Sequence, residues 1–263
     1  MTISLSSEAL ASAGFSHGFS TREVDLRFDA PDYAGNLKRF ALASGIDPAR
    51  WDGIAQARQV HGVQVVDAKT MSVDALLLGS SSPSSPSLPS VPKETLPQAD
   101  AVVAEPGFAA GVRTADCVPI LVGDPVSGVA AAIHAGWRGT VAGVIACAME
   151  RFARAGGDPA RAVAAIGPCI CAACFEVGDD VAELISQATQ PKGTPAEPVV
   201  TRADKAHANL RLAVRLLLGR AGVRTIEDVP GCTRCETDRF FSYRRDRTSG
   251  RHLAAIAAPN RVV

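Results

Sequence analysis

Apolar residues along this chain fall in short alanine- and valine-rich runs, separated by turns bearing glycine or proline and by amphipathic stretches. Val63 to Val66 alternates as a half-buried strand. Ala99-Asp100-Ala101-Val102-Val103-Ala104 predicts a short strand, followed by strands over Ala110 to Thr114 and Val118 to Val122. Gly123-Asp124-Pro125-Val126-Ser127-Gly128 is a turn made of the residues turns use. Val129 to Ile133 is a continuous run of small apolar residues, the pattern of a strand buried on both faces. Ala135 to Gly139 leads into a helix predicted from Thr140 to Ala155 and closed by Gly156-Gly157. Val163 to Ile166 is another buried strand. Val177 to Gln187 and Lys205 to Ala221 read as amphipathic helices, the second with Leu210, Val214, Leu217 and Leu218 on one face. Ile226 to Val229 and His252 to Ala257 close the series. Strands alternating with helices predict an α/β fold, a mixed α+β layered sandwich, with residues 1–263 forming a single domain.

One segment breaks the pattern. Gly79 to Gln98 is rich in serine and proline, which build neither a core nor a ladder, so a mobile, solvated insertion is expected over 79–98. The strands with chemistry-bearing residues lie on both sides of it, which favours an insertion within one domain over a linker between two.

Composition narrows the class. At 47% hydrophobic and 21% charged the chain can bury a sizeable core. Lys+Arg and Asp+Glu are equal at 27 each, so no net field points to nucleic acid or an anionic membrane. The first residues lack a basic stretch followed by an apolar one, and no apolar run is long enough to span a bilayer. Seven cysteines, an odd number unevenly spread, fit a reduced cytoplasmic protein better than a disulfide framework.

Three motifs carry candidate chemistry: Gln59-Val60-His61-Gly62, Arg113-Thr114-Ala115-Asp116-Cys117-Val118-Pro119 and Ile133-His134-Ala135-Gly136-Trp137-Arg138-Gly139. Each sets one soft ligand or nucleophile, His61, Cys117 or His134, where an apolar strand begins or ends. Two imidazoles and a thiolate can hold zinc with its fourth position open, or can form a Cys/His catalytic pair. Taken singly, a cysteine placed like Cys117 is more often a small buried hydrophobe. Asp116 is placed to receive a ring N–H of a liganding histidine. Cys171-x-x-Cys174 and Cys232-x-x-Cys235 have the spacing of a paired zinc motif but lie far apart in the chain, and buried free thiols are expected there rather than a structural zinc.

These motifs, with Ile166-Gly167-Pro168-Cys169-Ile170, Phe175-Glu176-Val177-Gly178 and Phe240-Phe241-Ser242-Tyr243-Arg244-Arg245-Asp246, resemble the YfiH-like family, also labelled the laccase-domain or polyphenol oxidase family. The resemblance runs from Ser16 to Ala257. It implies a mixed α/β single domain and a zinc site formed by His61, Cys117 and His134, with copper as the alternative metal. It further implies phosphorolysis of purine nucleosides (adenosine, inosine, guanosine and methylthioadenosine), with adenosine deamination as a second activity. Gln59, Asp116, Arg138, Phe241, Arg244 and Arg245 are the residues expected around nucleoside and phosphate. Arg138 lies at a predicted helix N-terminus, where the helix dipole favours an anion. A monomer or weak homodimer is expected. Departures from the family pattern are the absent LNLG-like segment after His17-Gly18-Phe19-Ser20-Thr21-Arg22, Arg113 beside the Thr114–Cys117 motif, and Phe175 where tyrosine is common.

Three other functions compete. A copper oxidase of phenols needs a histidine cluster that five histidines hardly furnish. A metal-free hydrolase or amidase would use Cys117 as nucleophile and a histidine as base. A partner-binding scaffold gains little support from a neutral chain without repeats or heptads.

Overall fold

The computed structural model describes residues 2–47, 51, 53–71, 93–189, 199–202, 204–247 and 250–259. Its strands are Ser4–Leu5 (β1), Ser16–Ser20 (β2), Ile54–Gln56 (β3), Val65–Asp67 (β4), Ala101–Ala104 (β5), Ala109–Thr114 (β6), Val118–Gly123 (β7), Ala130–Ala135 (β8), Val163–Ile166 (β9), Glu176–Val177 (β10), Val200–Arg202 (β11), Ala206–Ala208 (β12), Thr225–Asp228 (β13) and His252–Ala257 (β14). The helices are Glu8–Ser12 (α1), Tyr33–Ala43 (α2), Trp137–Ala142 (α3), Val144–Arg154 (α4), Asp179–Thr189 (α5), Leu210–Arg220 (α6) and Tyr243–Asp246 (α7).

Two mixed sheets result. One has the order β1-β2-β14-β6-β3, the other β13-β9-β7-β8-β5-β4, and β10-β12-β11 form a small third sheet. The period-2 alternation of strands decides what each sheet faces. In β7, Val118, Ile120 and Val122 join Val144, Ile145, Ala148 and Phe152 of α4 and Leu210, Val214 and Leu218 of α6 in one buried cluster. Leu121, on the opposite face, packs with Ala110, Val112, Ala254 and Ile256 of the other sheet. The outer face of that second sheet, through Ala109, Leu253, Ala255 and Ala257, covers Leu37, Phe40 and Ala41 of α2. The molecule is therefore four layers deep, helix–sheet–sheet–helix, and the central strands are buried on both faces. That is why β7, and β8 and β14 apart from His134 and His252, read as apolar runs.

The layered α/β expectation agrees with this architecture, while several boundaries move. The helix expected from Thr140 to Ala155 is two helices, α3 and α4, divided at Gly143, whose φ of +99° is left-handed and ends the first helix. The expected helix from Lys205 begins only at Leu210, capped by the Asn209 side chain; Ala206–Ala208 is drawn into β12 by its pairing with β11. Helix α5 starts at Asp179 because Val177 lies in β10 and pairs with Ala206 of β12. Of the expected insertion, 79–92 lies outside the described residues. Within residues 93–98 Glu94, Thr95 and Gln98 are exposed, while Leu96 is buried and Gln98 bridges to Arg58.

Candidate metal and catalytic site

Strand pairing brings the three motifs to one end of the six-stranded sheet. Antiparallel β7 and β8 pair Val118 with Ala135 and Pro119 with His134, so Cys117, just before β7, lies beside the last residues of β8. Antiparallel β5 and β8 pair Ala101 with Ile133, which carries Asp100 opposite His134. The His134 N–H donates to the Asp100 carbonyl at 2.7 Å.

Asp100 organises the site. Its carboxylate is fully buried and accepts four N–H donors: Val60 (3.2 Å), His61 (2.9 Å) and Gly62 (2.7 Å) from the backbone, and Nδ1 of His134 at 2.8 Å. Burial works against the charge, but the His134 bond and then the backbone donors outweigh it and hold the carboxyl below its ordinary pKa. With Nδ1 of His134 committed, Nε2 is left to face the site. The same carboxylate gathers the Val60–Gly62 turn, where His61 sits at a φ of +60°. Asp116 also has a positive φ, +90°. Non-glycine residues in that region are uncommon and cluster at functional sites.

His61, Cys117 and His134 each present one ligand atom, all within 4.8 Å of one another. Cys117 Sγ is 3.9 Å from His61 Nε2, and the two imidazoles meet edge to face with centroids 4.9 Å apart. His134 is buried, Cys117 half-buried and His61 exposed, so the cluster opens to solvent on the His61 side. Gly136 forms its floor: a Cβ there would stand 2.8 Å from His61 Cδ2 and 3.1 Å from Cys117 Sγ. Burial by itself pushes the Cys117 thiol up, but the adjacent His134 and then His61 more than offset this and bring it down to about 6. In turn the Cys117 thiolate and Asp100 overcome burial at His134 and raise it to about 9. Without a metal the pair is thus a thiolate beside an imidazolium. With one, the thiolate and two imidazoles, one oriented by a carboxylate, are a donor set suited to an ion that keeps an open position.

Asp116 has a different role from the one expected. It receives no histidine N–H; its two oxygens accept Thr233 Oγ1 and the Arg244 N–H, each at 2.6 Å. Asp100 is the carboxylate that orients His134, and the sequence reading missed it. The signal was one acid in an otherwise apolar run, since a charge buried in a strand needs partners.

The remaining expected residues divide by what they touch. The Gln59 amide is bound at both ends by the Arg113 backbone, donating to its carbonyl at 2.6 Å and accepting its N–H at 2.8 Å. Arg113 itself is buried, stacked on Phe28 and bonded to the Leu26 carbonyl and Tyr33 hydroxyl, which explains an arginine beside Thr114. Arg245 is engaged by Asp246 and by the carbonyls of Thr233, Arg234 and Phe240, so it braces a loop rather than offering its charge to an anion. Arg244 donates to the Glu176 carbonyl and lies over Phe175. Arg138 is exposed, its guanidinium 4.5 Å above the Trp137 ring. Phe241 packs on His252 with Arg22 over its ring.

Residues 16–259 match the family model described as "Multi-copper polyphenol oxidoreductase laccase". A purine nucleoside phosphorylase of Streptomyces coelicolor is 41% identical over 226 residues, covering 82% of this chain and 78% of that protein. A protein named adenosine deaminase RL5, from an unknown prokaryotic organism, is 36% identical over 82% of this chain and 78% of its own length. Among solved structures, YlmD from Geobacillus stearothermophilus superimposes with a TM-score of 0.78 at 26% identity, covering 99% of this chain and all of that one.

Proposed function

The chain belongs to the family described as multi-copper polyphenol oxidoreductase laccase, and on that premise we propose that it is a zinc-dependent purine nucleoside phosphorylase. It converts adenosine, inosine, guanosine or methylthioadenosine and phosphate to free base and the sugar 1-phosphate, and deaminates adenosine as a side activity. Relatives named for each of the two activities support this reading. The observation that carries it is the convergence of His61, Cys117 and His134, oriented by Asp100 and open to solvent.

Phosphorolysis joins a phosphate oxygen to C1′ of the ribose, breaks the C1′–N bond and sends its electron pair to the purine. Most of the work is positioning and charge stabilisation. Arg138 and Arg244, the two expected arginines not consumed in bracing the loop, are assigned to phosphate. Asp100 fixes the His134 tautomer, and Cys117 supplies an anionic ligand above pH 6 or so. Zinc held by His61, Cys117 and His134 would act as a Lewis acid and bring the pKa of water toward neutrality, which serves deamination.

The multi-copper chemistry in the family's description would require a histidine cluster. Of the chain's five histidines, His17 accepts the Ser7 N–H, His252 accepts the Phe241 N–H and His207 lies against the Lys205 carbonyl. Two imidazoles and one thiolate remain. A metal-free Cys/His hydrolase is the reading that the thiolate–imidazolium pair favours in its place. The phosphorylase works in the cytoplasm, where free cysteines persist, as a monomer or weak homodimer; no disulfide joins the described cysteines. Neither nucleic acid nor membrane is a partner in this reading, and no described helix is long and apolar enough to cross a membrane.

The test is free-base release from adenosine and inosine, with and without phosphate, by wild type and Cys117→Ala. Phosphate-dependent release that disappears in the variant, together with its zinc, is the expected result. Zinc retained in a folded Cys117→Ala protein would sink the ligand assignment, and absence of nucleoside turnover in zinc-loaded wild type would move the reading to the hydrolase.

A further inference from the structure

The two CxxC segments, expected to hold separate buried thiols, meet. Ile170 and Cys171 leave the strand β9 side of the sheet, and Cys169 bridges in parallel register to Cys232, which sets the two segments side by side. Cys171 caps a single 3-10 turn, Ala172–Cys174, so Cys171 and Cys174 fall on one side of it. The Cys235 N–H folds back onto Cys232 Sγ at 3.4 Å, closing the second CxxC turn. The four sulfurs of Cys171, Cys174, Cys232 and Cys235 then lie within 4.8 Å of one another, with Cys174–Cys235 at 3.2 Å and Cys171–Cys235 at 3.9 Å. Sulfurs placed tetrahedrally about 2.3 Å from a zinc ion stand about 3.8 Å apart, so these distances bracket the required edge. An iron–sulfur cluster distributes its ligand sulfurs around several metal atoms and needs a wider spread.

A second feature separates this group from thiols packed as hydrophobes. Cys232 Sγ accepts two backbone N–H donors, from Cys171 at 3.3 Å and from Cys235. Donors aimed at a sulfur stabilise it as a thiolate, the form a metal binds. Cys174 and Cys171 are half-buried and Cys235 is exposed, which leaves an entry path for an ion.

We propose that Cys171, Cys174, Cys232 and Cys235 hold a structural zinc ion through four thiolates, separate from the His61–Cys117–His134 site. Its place in the fold gives it a job. Thr233, between two of its ligands, donates to Asp116, whose other oxygen holds the Arg244 N–H. Arg245 ties the Thr233 and Arg234 carbonyls to the same loop. Asp116 precedes Cys117 at a strained backbone position. The four-sulfur site thus fastens the loop that sets Asp116 and Cys117, with no open position for chemistry.

The experiment is metal analysis of the full chain, purified without added metal, for wild type, Cys171→Ser/Cys235→Ser and His61→Ala/Cys117→Ala. Cobalt(II) spectra, and alkylation of the unreduced proteins denatured in chelator, accompany it. The His61→Ala/Cys117→Ala protein leaves the four-sulfur site whole, and it is expected to retain one equivalent of zinc. Its cobalt form should show the intense thiolate charge-transfer bands of a four-sulfur tetrahedron, and every remaining cysteine should alkylate. If Cys171→Ser/Cys235→Ser folds, it loses one equivalent relative to wild type. Absence of zinc from the His61→Ala/Cys117→Ala protein, iron in its place, or cysteines withheld from alkylation as disulfides would overturn the proposal. Wild type with one zinc that persists in the His61→Ala/Cys117→Ala protein would uphold the four-sulfur site while removing the other.

Discussion

Asp100→Asn changes one atom of a buried carboxylate, and its effect follows from counting donors. Each oxygen of Asp100 accepts two N–H groups: Oδ1 those of His61 and the His134 ring, Oδ2 those of Val60 and Gly62. An asparagine keeps one acceptor, so in either orientation its NH2 confronts two donors. A buried donor without a partner costs about 1–3 kcal/mol, so roughly 4 kcal/mol is lost for the pair. In a domain of this size that is a fall in melting temperature of roughly 10 °C. Partial relief exists if the NH2 faces His134: the ring can shift its proton to Nε2 and accept at Nδ1. That proton then occupies the atom the site needs, and loss of such an orienting partner costs about 10–100-fold in metal affinity. Thermal melts in chelator read the first effect, and zinc titration against a competing chelator reads the second. A melting temperature and a zinc Kd both indistinguishable from wild type would refute the role assigned to Asp100.

Three further outcomes are expected. Gly136→Ala meets no backbone objection, at φ −74° and ψ 159°, but places its methyl 2.8 Å from the His61 ring; zinc affinity should drop at least about tenfold while the fold survives, and unchanged affinity would remove Gly136 from the site. Burial holds His252 down to about 4 from 6.5, so the unfolded chain takes its proton first and stability falls as pH drops from 6.5 toward 4, by up to roughly 3 kcal/mol. His252→Gln keeps an acceptor for the Phe241 N–H without the titration, so the stability difference between the two proteins should shift in the variant's favour over that window; a constant difference in urea melts at pH 7 and pH 4 would contradict it. Arg138→Ala should raise KM for phosphate about tenfold with the melting temperature unchanged, and equal phosphate dependence would take Arg138 out of anion binding.

The central strands, and the soft-ligand residues set beside them, are legible in the local pattern of the chain. β7, β8 and β14 are buried on both faces, so nearly every position is apolar and periodicity has nothing to compete with. His61, Cys117 and His134 were legible because each interrupts or ends such a run with a soft ligand. Long-range packing sets what local pattern does not encode. Lys205 to Asn209 reads as helix, yet the pairing of Ala206–Ala208 with β11 overrides that local preference. Asp116 adjoins Cys117 in sequence but bonds Thr233 and Arg244, because the strand register at β5–β8 presents Asp100, not Asp116, to His134. The distant CxxC pairs meet through the parallel bridge between Cys169 and Cys232 and the hydrogen bonds beside it. Partners brought together by long-range pairing leave no mark in their neighbours' sequence, and only the packed sheets fix which residues face one another.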